Sequence, residues 1–345
     1  MARDRLIPYP ITFHPLLKPR VWGGRRLARL GKTLPEGAAG IGESWEVADL
    51  PAAIEGGQSV VANGSLAGLT LREAVEDHEN AIMGSAMLTP EGGFPLLIKY
   101  LDARENLSVQ VHPTPEYAGA NPGAVVKSEA WVVVDAEPDS VIYKGLRPGL
   151  TAEQLRRDIE TGVIVDDLIW IPARVGECHY LPSGTCHALG GGVLVAEVQS
   201  PSDTTFRLYD WGRSGRALHI EEALRCIDLD QSERITDHPR RRERRPSVTS
   251  EFRTEVLCEA EAFTIELITA VAGADLAVVT QGSPVVWMIL SGAGSVRSAG
   301  AETVAFAAGT TMLMPAGIRD ATARFHRETA LLRVLLPSTV RDLLA

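Results

Sequence analysis

Short β-branched or alternating runs, separated by Gly and Pro, fill this chain before residue 200: PLLIKYL, LSVQVHP, EAWVVVDA, SVIYKG, ECHYLPSG and VLVAEVQ. Period-two patterning of this kind predicts many antiparallel strands. It resumes after residue 246 with FRTEVLCEAEAFTIELITA, VVWMILSGAGSV, TVAFAAGTTMLMPAG and ALLRVLLP, none with a helical period, so the C-terminal unit is expected to be entirely β. Helical signals are few and local. In TLREAVEDHENAI, Thr70 and Glu73 stand at capping-box spacing. Thr151 and Gln154 repeat that spacing in a segment that ends at Gly162, with Leu155 and Ile159 as an i, i+4 apolar pair. A third helix is predicted over Ile220 to Ile227.

A weak internal repeat organises the strands. GECHYLPSGTCHAL (Gly176 to Leu189) parallels GTTMLMPAGIRDAT (Gly309 to Thr322): a Gly, then Pro five or six residues on, then a small residue and Gly. A Gly-initiated strand, a tight turn and a second strand that points inward are the habit of cupin barrels. The predicted fold is therefore mainly β, with two cupin-type jelly-roll barrels and a few helices. The length of 345 residues suits two units at roughly 100–200 residues each. Between them lies HPRRRERRP (His238 to Pro246), a basic run bounded by prolines and without aromatic residues, which reads as a solvated linker. The expected division is residues 1–240, a metal-binding barrel with helical insertions, and residues 247–345, a second barrel. Aligned on Pro182 and Pro315, His187 of the first unit matches Asp320 of the second, whose one histidine is His326; the second barrel is thus expected to be metal-free and mainly structural.

Bulk composition narrows the function classes. A formal charge of -10 argues against general nucleic-acid binding and means that any anionic substrate needs a locally cationic pocket. The N-terminal MARDRLIPYPITFHP lacks the continuous apolar stretch of a signal peptide, so a cytoplasmic protein is expected. The longest uncharged stretch, Leu276 to Val296, contains Pro284 and three glycines, which disfavours a membrane span. Four cysteines, Cys178, Cys186, Cys226 and Cys258, without a CxxC pair fit reduced thiols. Oligomeric state is not legible.

The chemistry concentrates in the first unit. LSVQVHP puts Gln110 and His112 two apart on a strand, hence on one face, and KSEAWVVV does the same for Lys127 and Glu129. His187, delivered by the PSG turn, completes a set of two imidazoles, one carboxylate and one amide oxygen. Such a set suits one Zn²⁺ with an open position for water or substrate; Mn²⁺, Fe²⁺ or Co²⁺ also fit. A rival thiolate site from Cys178-His179 and Cys186-His187 is disfavoured because adjacent strand residues face opposite sides.

The ordered segments FPLLIKYLDA, LSVQVHP, KSEAWVV and LPSGTCHAL, followed by VQSPSDTTFRLYDW, resemble the motifs of type I phosphomannose isomerases of the short bacterial subtype. The resemblance extends to VWGG (Val21 to Gly24), GESWEVAD (Gly42 to Asp49) and IWIP, and so covers most of the chain. It implies zinc-dependent interconversion of mannose 6-phosphate and fructose 6-phosphate, with Gln110, His112, Glu129 and His187 as metal ligands. It further implies active-site positions for Lys99, Lys127, Glu197 and Arg207. Proton removal beside the carbonyl is expected of Lys127, on the same face as Glu129 and so near the metal, with Glu197 the competing candidate; Arg207 meets either the developing oxyanion or the phosphate, and Lys99 is a phosphate or supporting contact. Two departures leave the expected ligands in place: Ala130 stands where relatives often carry cysteine, and Pro201 enters a usually polar loop, a change that bears on substrate fit. Three alternatives remain at this stage: an isomerase of another aldose or sugar phosphate, a non-catalytic sugar-phosphate-binding cupin, and a cupin dioxygenase, against which Gln110 argues.

Overall fold

The computed structural model describes residues 6–37, 40–229 and 246–337. The chain is mainly β, with four sheets and, among the described residues, four α-helices. A six-stranded and a five-stranded sheet enclose one interior, where Trp22, Leu101, Trp131 and Val195 meet Ile142 and Leu189. A seven-stranded and a four-stranded sheet enclose the second, where Trp287, Met312 and Leu331 meet Val296, Phe306 and Phe325. This is the two-barrel, cupin-type architecture expected from the strand pattern.

The two barrels pack sheet on sheet. Along Leu97–Ala103, Ile98 and Tyr100 point into the core between barrels, while Lys99, Leu101 and Ala103 face the first interior. In Val285–Ser291, Val286 and Met288 face the shared core, and Val285, Trp287 and Ile289 the second interior. Strands buried on both faces are mostly apolar at successive positions, with Lys99 and Asp102 the buried charged exceptions in Leu97–Ala103. The N-terminal strand Ile11–Thr12 joins the seven-stranded sheet beside Thr311–Met314, so residues from the start of the chain complete the second barrel's sheet.

The capping boxes are formed at Leu71–Ile82 and Ala152–Thr161, the latter ending at Gly162 in the left-handed conformation (φ 78°). The third predicted helix spans Ile220–Cys226. A fourth helix, Pro115–Ala120, goes beyond the three the sequence pattern predicts, with Thr114 accepting from the Tyr117 N–H and Pro115 in the first turn, where no N–H is needed. The uncharged Leu276 to Val296 stretch is divided among strands Asp275–Ala277, Val285–Ser291 and Ala293–Arg297; no helix of the described residues is long and apolar enough to cross a membrane. All four cysteines are free thiols. Residues 238–245 of the basic run lie outside the described residues.

Candidate metal centre and active site

Strand pairing assembles the cluster. Val109–Val111 and His187–Leu189 are antiparallel neighbours in the five-stranded sheet with Gln110 opposite His187, and Phe206–Tyr209 places Arg207 opposite Gln110 on the other side. From the facing sheet, Glu129 opens the strand Glu129–Ala136; Lys127 precedes that strand rather than lying on it, yet its Nζ still reaches Glu129 Oε2 at 3.0 Å. His112 Nε2 lies 3.1 Å from Glu129 Oε2, and His187 Nε2 lies 3.2 Å from Glu129 Oε1. All three residues are 1% exposed.

These close approaches are not hydrogen bonds: His112 Nε2 and both Glu129 oxygens lack a correctly directed partner. Buried acceptors left this way are costly unless something binds them. The other imidazole nitrogens are engaged, His187 Nδ1 lying 2.8 Å from the Thr185 carbonyl and His112 Nδ1 3.2 Å from that of Thr204. Donation from Nδ1 leaves each Nε2 lone pair aimed at the cluster, the arrangement a metal-binding histidine requires. Burial first, then the Lys127 charge, pushes His112 down to about 3, which keeps it neutral. Burial would raise Glu129, but Lys127 and His112 beside it hold it well below the usual carboxylate range. Two imidazoles and a carboxylate fit a divalent cation. Gln110 turns its amide nitrogen, not its oxygen, toward His187 Nε2 at 3.2 Å, so ligation by the oxygen needs a half-turn of the amide.

The expected site residues gather at one place. Lys99, Gln110, Lys127, Glu129, Glu197 and Arg207 line a cavity of about 490 Å³, with His112 and His187 buried against Glu129. Lys99 and Glu197 are cross-strand neighbours whose side chains meet at 3.0 Å, and Trp131 Nε1 donates to the other Glu197 oxygen at 3.1 Å. Burial, then the Glu129 charge, raises Glu197 despite Lys99. Burial works against the Lys99 ammonium, yet Glu197, Glu43 and Glu129 together raise it, so it stays charged. Arg207 donates to the Ala217 carbonyl at 2.8 Å, and its Nε is buried without a partner.

Residues not singled out from the sequence complete the wall: Arg20, Glu43, Trp45 and Arg216. Glu43 accepts from Arg20 Nε at 2.7 Å and Trp45 Nε1 at 2.6 Å, and Lys99 Nζ lies 3.9 Å away. Their signal was the alternation in IGESWEV, which puts Glu43 and Trp45 on one strand face. The disfavoured thiolate set is dispersed: Cys186 packs in the core under the five-stranded sheet and Cys178 against the core between barrels. A wider cavity of about 970 Å³, between Tyr9, Asn63, His78 and Gly300, has no convergent ligand set among the described residues.

The comparisons with known proteins agree with this geometry. The family described as phosphomannose isomerase type I, catalytic domain, matches residues 12–139, which include His112 and Glu129. The mannose-6-phosphate isomerase ManA of Bacillus subtilis is 36% identical, over 90% of this chain and 94% of its own length. The chain belongs to the type I phosphomannose isomerase family. A second member, the mannose-6-phosphate isomerase of Streptococcus mutans, is 36% identical over 66% of this chain and 70% of its own. The crystal structure of the mannose 6-phosphate isomerase from Bacillus subtilis superposes with a TM-score of 0.81 at 28% identity, covering 95% of this chain and 99% of that one. Both barrels are therefore shared with a solved phosphomannose isomerase.

Proposed function

We propose that this chain is an aldose-ketose isomerase that interconverts mannose 6-phosphate and fructose 6-phosphate in the cytoplasm, with one zinc ion held by His112, Glu129, His187 and Gln110. The observation that carries the reading is the buried cluster in which His112 Nε2 and both Glu129 oxygens have no hydrogen-bond partner, set against a cavity that also collects Lys99, Lys127, Glu197 and Arg207. The mixed imidazole, carboxylate and amide donors suit zinc, and zinc when bound would stabilise negative charge on the sugar oxygens.

The reaction moves one proton from C2 to C1 and one from the C2 hydroxyl to O1. Glu197, a buried carboxylate raised by its surroundings, suits the carbon-bound proton, since a base is most effective when its pKa approaches the working pH. Trp131 and Lys99 fix the orientation of that carboxylate. Lys127 has three N–H donors and lines the cavity beside Glu129, so it can hydrogen-bond the sugar oxygens as their protonation changes. Arg207 adds a permanent cation next to Gln110.

The test is formation of fructose 6-phosphate from mannose 6-phosphate by purified protein, before and after chelation and with zinc restored. Turnover lost on chelation and regained with zinc is the expected result; no turnover at full metal occupancy refutes the substrate. Solvent-deuterium incorporation at the sugar carbon tests the base, with loss expected for Glu197→Gln and retention for Lys127→Ala at equal metal content. The reverse pattern would give that role to Lys127.

A further inference from the structure

Beyond Arg207, the chain builds a second cationic device at the cavity wall. Asp210 follows the strand Phe206–Tyr209 and is 3% exposed. It accepts from Arg216 through both oxygens, with Nε at 2.8 Å, and from Arg213 Nη2 at 2.8 Å. Arg213 is otherwise engaged, bonding the Asn106 carbonyl at 2.7 Å and lying 3.6 Å from Glu105, and it does not line the cavity. Arg216 does line it. Asp210 takes its Nε and Nη2, while Nη1 has no partner among the described residues. Asp210 is shared between Arg213 and Arg216, and Arg207 and Arg216 both line the cavity, with Asp203 on the same wall. Burial, then the Arg216 charge, lowers the pKa of Arg207.

The backbone holds this group rigidly against the ligand-bearing strand. Trp211 adopts a left-handed conformation (φ 55°), unusual for a bulky residue, and its Nε1 donates to the Leu107 carbonyl at 2.5 Å, just ahead of Val109–Val111. Arg207 lies opposite Gln110 and hence at the cluster, whereas the Asp210 anchor lies past the end of that strand, after a bulge that brings Tyr209 opposite Val109. The cavity thus has a cationic group at the cluster and a second one displaced from it, as a sugar reacting at one end and carrying an anion at the other requires.

We propose that Arg216 grips the phosphate of the substrate and that Asp210 is the positioning residue that aims it, leaving Arg207 to the reacting end of the sugar. This rests on the isomerase reading above and assigns the ends of the substrate within it. A fixed fork with its remaining donors turned to the cavity matches the planar, multi-donor recognition that phosphate favours.

The experiment measures binding of inorganic phosphate by calorimetry and steady-state kinetics on mannose 6-phosphate, using the metal-loaded full chain. Arg216→Ala is expected to weaken phosphate binding by about tenfold to a hundredfold and to raise KM by a similar factor, with a smaller change in kcat. Arg216→Lys should recover part of the affinity and serves in its place should the alanine variant not fold. Asp210→Asn should raise KM less than Arg216→Ala, and Asp210→Glu should restore part of the loss, which a merely structural role would not show. Phosphate affinity unchanged in Arg216→Ala, or a fall in kcat at constant KM, overturns the proposal. Arg216-dependent phosphate binding by a wild-type protein that does not turn over mannose 6-phosphate would uphold it and refute the substrate instead.

Discussion

Replacing Glu43 with Gln tests the electrostatics of the cavity wall without disturbing its shape. Glu43 is 8% exposed and is lowered from 4.5 to about 2: burial opposes the charge, but Lys99 and Arg20 outweigh it, assisted by hydrogen bonds from Arg20 and Trp45. At about 1.4 kcal/mol per pH unit, a displacement of that size corresponds to about 3 kcal/mol of stability at neutral pH. The Arg20 share is the smaller one in practice, since its side chain is 36% exposed and solvent screens it, whereas Lys99 is 9% exposed. Because the folded carboxyl titrates below its ordinary value, this stabilisation is complete above pH 4.5 and is lost as the pH falls toward 2. Urea denaturation of the wild type and Glu43→Gln between pH 7 and pH 3 should show a gap of about 3 kcal/mol at neutral pH that shrinks by about half at pH 3. A gap that stays constant across that range would refute the argument, because the loss would then come from packing rather than charge.

Three further outcomes follow from the same coordinates. His187→Ala removes one of the three buried facing groups that could hold a metal ion, so purified protein should carry less than about a tenth of the wild-type zinc by elemental analysis at equal total zinc. Trp131→Phe deletes the indole donor that orients Glu197, and kcat should fall by about tenfold while zinc content is retained, as steady-state kinetics and elemental analysis would show. Thr151→Ala removes the cap of Ala152–Thr161, which should cost about 1 kcal/mol in chemical denaturation and leave turnover of mannose 6-phosphate unaffected.

What the sequence disclosed about this molecule follows from the range of each signal. Capping boxes act over three residues, and both formed where Thr70–Glu73 and Thr151–Gln154 placed them. The pairs Gln110/His112 and Lys127/Glu129 were legible from their two-residue spacing, although His112 lies just past Val109–Val111 and Lys127 just before Glu129–Ala136. The helix Pro115–Ala120 was hidden by its own composition, although Thr114 followed by Pro115 is a helix-start signal. The pairing of Lys99 with Glu197 and the insertion of Ile11–Thr12 beside Thr311–Met314 join residues about 100 and 300 positions apart, and nothing local encodes them. Arg216 was overlooked for a similar reason: its value depends on Asp210, and that carboxylate is distinguished by burial rather than by motif.

Register is what converts these residues into a site. In the six-stranded sheet, Lys99 pairs with Glu197 on one side and Trp45 on the other, while Glu197 pairs across with Trp131. Each strand therefore contributes one polar or aromatic group at the same level, and neighbouring charges are opposite in sign. A slip of one residue between Leu97–Ala103 and Val193–Gln199 would send Lys99 into the apolar core between barrels and bring Ile98 into the cavity. The cost of burying an unpaired ammonium and an unpaired carboxylate makes that slip far less favourable than loss of apolar contacts alone. The ionic pair across these strands thus specifies the alignment that the two-sided apolar pattern leaves ambiguous, and the same alignment holds Glu197 between Lys99 and the Trp131 indole at the cavity wall.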